Sequence, residues 1–122
     1  MISETQIVKA IETYCRAETE GDMPAFMALF AENVVHEDPV GIAIRHGRAG
    51  LEELWAMAQA GNVELWLTDQ VIVRGNEAIA LMRCRTGPEG QRREMGPIVD
   101  HFIFDAAGRI AGVRAFYNLP SH

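Results

Sequence analysis

The stretch Met95-Gly-Pro-Ile-Val-Asp-His-Phe-Ile-Phe104 decides the fold, because its apolar residues recur with a period of two. Ile98, Asp100, Phe102 and Phe104 fall on one face of an extended strand, since successive side chains point to opposite sides. Three of these four are large and apolar, so that face is expected to turn inward. Asp100 is the exception. A carboxylate there loses its hydration and must either be paired or stay protonated. A buried Asp–Arg pair, a strand bend that returns the carboxyl to solvent, and a functional acid are all open readings of this segment alone.

Working outward, the period of two covers the second half of the chain. Candidate strands run over 63–73, 77–86, 92–105 and 109–118, with Gly75-Asn76, residues 87–90 and residues 106–108 as connections. Upstream the period is helical. Residues 3–20 place Ile7, Ile11 and Tyr14 on one stripe, with Glu and Arg on other faces, and Gly21 can end that helix. Asp22 looks like the N-cap of a second helix, with Pro24 tolerated in its first turn and Phe26, Leu29 and Phe30 as its apolar stripe. A short strand over 34–38 is stopped by Pro39-Val-Gly41, and residues 47–60 read as a third helix with Leu51, Leu54, Trp55 and Ala58 on one side. Helices followed by hairpin-linked strands imply an α+β domain, its helices packed on one face of an antiparallel sheet. Such an arrangement leaves a cavity between the layers, which is the default place for a ligand.

The 122 residues form one expected domain, 1–122, able to bury roughly two-thirds of its unfolded surface. A net charge of −6 argues against a nucleic-acid partner, which wants a basic face, and against an anionic membrane surface. The N-terminus has no cationic region followed by an apolar run, and no stretch reaches membrane-spanning length, so a cytoplasmic protein is expected. Cys15 and Cys84 fall within regular elements and read as reduced core residues. Adjacent strand residues point apart, so His36, Glu37 and Asp38 do not make a metal site. His101 is expected on the outer side of the sheet. Arg83, Arg85, Arg92 and Arg93 read as a solvated face paired with the abundant acids.

Three ionisable side chains are placed to reach the cavity. Tyr14 lies on the apolar stripe of the first helix, Asp38 at the end of the short strand, and Asp100 on the inward face of the long one. Each has an ordinary structural reading by itself. Together, two acids and a phenol around an apolar pocket suit proton transfer beside a carbonyl. Asp38 can serve as general base toward an acidic C–H. A phenol and a neutral carboxyl, Tyr14 and Asp100, can donate to the oxygen that becomes an enolate.

Tyr14, the run Glu37-Asp-Pro-Val-Gly41 and the run Ile98-Val-Asp-His-Phe-Ile-Phe104 resemble the Δ5-3-ketosteroid isomerases of the NTF2-like (SnoaL-like) superfamily. The likeness continues through Gly21-Asp22, Ala28-Leu-Phe-Ala31, Leu67-Thr68, Asn76-Glu-Ala78 and Arg114-Ala115 at nearly collinear spacing. It implies a conical α+β barrel, three N-terminal helices on a curved, mostly antiparallel sheet, and a homodimer that needs no cofactor or metal. It also implies steroid delta-isomerase activity: Asp38 would move a proton of a 3-oxo-Δ5-steroid between C4 and C6, while Tyr14 and protonated Asp100 hold the dienolate oxygen. Val40, Leu54, Trp55, Met82, Phe102, Val113 and Tyr117 match the wall that contacts such a steroid or similar cyclic ketone. One departure stands out. Members of that family carry a tyrosine in the third helix that donates to the oxyanion phenol, and Trp55 occupies its place. An indole N–H can donate instead, or the link is lost. Two other uses of the same scaffold fit the residues less closely, a polyketide cyclase or dehydratase and a non-catalytic binder of apolar ligands.

Overall fold

The computed structural model describes residues 2–119. Helix α1, Glu4–Glu20, begins where Ser3 accepts from the Gln6 N–H and the Gln6 side chain returns to the Ser3 N–H, so two otherwise orphaned donors are met. It ends at Gly21, whose φ of 73° closes the last turn. Asp22 caps α2, Met23–Met27, by accepting from the Ala25 N–H. This helix is shorter than its apolar spacing predicts. Phe30 does not continue the stripe but opens strand β1, Phe30–Glu37, because the Ile110 N–H takes the Leu29 carbonyl at 2.8 Å and draws the backbone into the sheet.

Strand β2, Ile44–His46, follows the turn at 38–43, and helix α3 spans Gly47–Ala60. The predicted strand over 63–73 is two strands, β3 at Glu64–Leu67 and β4 at Ile72–Arg74. Both pair with β5, Glu77–Thr86, and the break between them holds polar Thr68, Asp69 and Gln70. Strand β6, Arg93–Phe104, and β7, Ile110–Phe116, complete the sheet. Its order is β2-β1-β7-β6-β5-β3, all neighbours antiparallel except the parallel β1–β7 pair. The expected barrel is therefore corrected to an open mixed sheet: β2 and β3 are its edges, and no ladder joins them among the described residues.

The helices cover one face of this sheet. Ile7, Ile11, Phe26, Phe102, Phe104, Ile110 and Val113 are fully buried between the layers. Phe102 meets the Tyr14 ring edge-on at 5.3 Å, so the phenol is fixed by packing before any hydrogen bond is counted. The other face follows the alternation: His101 turns outward and pairs with Glu77 at 2.7 Å. Arg83, Arg85 and Arg92 form ion pairs with Glu94 and Glu64. Both cysteines are free and buried. No described helix is long and apolar enough to cross a membrane.

Candidate active site

A cavity of about 380 Å³ opens between α1, α3 and the sheet, within the range of small-molecule sites. Tyr14, Asp38 and Asp100 all line it. Asp100 holds its place by register, with Ala80 and Ala115 beside it on the neighbouring strands. It is 4% exposed, and among the described residues no cation pairs with it and its buried Oδ1 has no hydrogen-bond partner. Burial, and secondarily the Asp38 charge, push its carboxyl well above the usual carboxylate range. The pairing and strand-bend readings are thereby excluded. Burial without a counter-charge favours the neutral acid, the form that has an O–H to give.

Asp38 leaves the end of β1 at a turn tied down on both sides. Its N–H donates to the Ala43 carbonyl, the Val40 N–H donates to the Ala115 carbonyl, and Glu37 accepts from the Gly41 N–H. The Tyr117 hydroxyl donates to Asp38 Oδ1 at 2.7 Å. Arg45 donates to the Asp38 backbone carbonyl and pairs with Glu53. A methyl at Gly50 would come within 2.8 Å of Arg45 backbone and Cβ atoms, so α3 needs glycine there to let Arg45 lie close. Burial raises the proton affinity of Asp38, while the Tyr117 hydrogen bond and the Arg45 charge act in the opposite direction. A partly desolvated carboxylate held at its rim is a competent base.

Tyr14 is bound by a residue the sequence reading set aside. Its hydroxyl lies 3.0 Å from Nε2 of His36, which is fully buried two residues before Asp38 on the same face of β1. Burial, and then Arg45, lower the His36 pKa to about 3, so the imidazole is neutral and carries one proton. Its Nδ1 has no partner. A proton on Nδ1 leaves an orphaned donor deep in the core, whereas a proton on Nε2 leaves a lone pair there and moves the unmet donor to the Tyr14 O–H at the cavity wall, where a ligand can accept it. With the proton on Nε2, the Nε2–H donates to the Tyr14 oxygen and the Tyr14 O–H can point into the cavity. The ¹⁵N spectrum should then show a protonated Nε2 and a bare Nδ1 from about pH 5 to about pH 9. The opposite pattern would turn the phenol's proton away from the cavity.

Trp55 does not make this link. It is buried against Phe26, ring centroids 5.0 Å apart, and does not line the cavity. Of the other wall residues expected from sequence, Leu54 and Tyr117 face the cavity. Met82, Phe102 and Val113 lie beneath it in the core, and Val40 lines a separate outer groove with Pro97, Val99 and Phe116. A further acid was missed. Glu18 lines the cavity at 7% exposure, and its spacing from Ile7, Ile11 and Tyr14 continues their stripe. Burial, then Asp100 and Asp38, raise it to about 8. The cavity thus gathers three carboxyl groups, all with raised proton affinity, and a phenol.

The SnoaL-like domain family matches residues 11–113. A steroid Delta-isomerase of Nocardioides simplex is 33% identical over 112 residues, 92% of this chain and 89% of that protein. Among solved structures, SalBIII, an epoxide hydrolase/cyclase-like enzyme of pyran ring formation in the polyether salinomycin, superposes with a TM-score of 0.87 at 26% identity, over 98% of this chain and 95% of that one. Rv0760c of Mycobacterium tuberculosis, in complex with estradiol-17β-hemisuccinate, superposes at 0.82 with 19% identity, over 93% of this chain and 95% of that one.

Proposed function

The chain belongs to the SnoaL-like domain family, and on that premise we propose that it is an isomerase that moves the double bond of a cyclic β,γ-unsaturated ketone, in the first place a 3-oxo-Δ5-steroid, into conjugation. One observation carries the reading: Asp100, buried and without a partner at Oδ1 among the described residues, faces the same cavity as the Asp38 carboxyl and the Tyr14 phenol. The likeness to a steroid Delta-isomerase supports the substrate class.

The ligand carbonyl accepts from Asp100 and Tyr14. The Asp38 carboxylate removes the proton from the carbon between the carbonyl and the double bond, and the electron pair moves onto the carbonyl oxygen as a dienolate. Both donors were in place beforehand, so the developing charge meets fixed dipoles in an apolar enclosure rather than reorganising water. Protonated Asp38 then returns the proton to the far carbon of the diene. Atoms balance without any added reagent.

The assay is the ultraviolet absorbance of the conjugated enone after mixing the protein with a 3-oxo-Δ5-steroid. Turnover is expected, and conversion no faster than in buffer would sink the steroid reading. Asp100→Leu should lower kcat by about 10²–10³-fold, the usual loss for one oxyanion donor.

The likeness to SalBIII favours a second reading, in which a neutral carboxyl protonates an epoxide oxygen while Asp38 takes the proton of an attacking hydroxyl. Conversion of a hydroxy-epoxide by a protein inert toward the steroid would select it.

A further inference from the structure

Glu18 is the cavity acid that the isomerase mechanism leaves idle. It lies one helical turn beyond Tyr14 on α1, and no hydrogen bond reaches its carboxyl among the described residues. Its backbone carbonyl instead accepts from Gln59 at 2.9 Å. The same turn is clamped to β3, because Thr19 Oγ1 both donates to the Leu65 carbonyl and accepts from the Leu65 N–H. Glu18 is thus tied to the β3 edge of the sheet, whereas Asp38 leaves β1 beside the other edge, with Asp100 on β6 between them. Nearby Ala58, Val63 and Leu65, which also line the cavity, supply no polar side chain. A carboxyl that opens on an apolar cavity with no protein partner is available to a ligand oxygen.

We propose, resting on the isomerase reading, that Glu18 forms a second polar subsite, donating a hydrogen bond to a ligand oxygen other than the carbonyl held by Asp100 and Tyr14. The substrate class narrows to cyclic enone precursors with a second accepting oxygen, such as a ketone, hydroxyl or ether outside the reacting enone. The proton required is present at neutral pH, since the carboxyl titrates at about 8.

Conjugated 3-oxo steroids serve as probes, a set of diketones with the second ketone on each other ring in turn and a monoketone without it. Calorimetry reads their Kd. Wild type at about pH 7 is expected to favour a diketone of the set about 5–10-fold, the worth of one net hydrogen bond. Glu18→Leu should lose that preference and still bind the monoketone. Glu18→Gln keeps a donor and cannot ionise, so it should retain the preference at about pH 9, where wild type loses it. An unchanged diketone-to-monoketone ratio in Glu18→Leu overturns the subsite alone. A wild type that binds none of these steroids overturns the isomerase reading and the subsite with it.

Discussion

Asp38→Asn should lower kcat by about 10²–10⁴-fold, the range expected for loss of a positioned general base. The amide is nearly isosteric and its oxygen can still accept from the Tyr117 hydroxyl, so the turn after β1 keeps its side-chain tether. The backbone bonds from Asp38 to Ala43 and from Arg45 to the Asp38 carbonyl do not involve the changed atoms. Melting temperature and ligand affinity should therefore stay close to wild type while turnover collapses. That split, kcat falling with little change in binding, separates a lost base from a damaged cavity. Full turnover in the variant would require another base in the same cavity and would end the role given to Asp38.

Stability should fall as the pH rises above about 6.5, and Glu18→Gln should remove much of that fall. Glu18 has an ordinary value of 4.5 and a folded one of about 8, so between those values the folded protein holds more protons than the unfolded chain. The linked stability is fully present below the ordinary value and is lost as the pH rises through the folded one. Asp100 acts in the same direction and extends it. His36 runs the other way: its folded value of about 3 lies below its ordinary 6.5, so its contribution is lost as the pH falls. The two slopes oppose one another below about 6.5, and above it the acids act alone. With about 1.4 kcal/mol per pKa unit, Glu18→Gln should exceed wild type by about 2 kcal/mol or more at about pH 8.5 and match it near pH 5. Thermal melts at the two pH values decide it; parallel shifts would mean that Glu18 is charged and solvated in the folded protein.

Much of this site is legible in the chain because its parts sit on strongly periodic elements. The alternation around Asp100 places it inward, and the Gly21 signal ends the helix that carries Tyr14. The misses have physical causes. Glu18 occupies a stripe position, but a carboxylate is ordinarily assigned to solvent, and here residue type outweighed spacing. His36 shares a face with Asp38 at a separation of two, yet the irregular first half of β1 blurs that face, with a register shift between Phe30 and Val35. The three residues of β2 are too few for any period to show. Met82, Phe102 and Val113 point inward as their spacing requires, but alternation reports only which side a residue faces. Whether it meets the void or the layer beneath depends on how the helices lie across the sheet.

Alanines on either side of Asp100, Ala80 and Ala115, have a consequence for how such a protein can diversify. Each puts only a methyl group beside the acid, and Ala115 borders the void directly. The room beside the acid is therefore set in part by side-chain bulk on the strands adjoining it. Exchanging those methyls for branched chains would recut the outline of what fits while leaving every proton-handling group in place. Outline and reactivity are written in different residues, so one can be altered without rewriting the other.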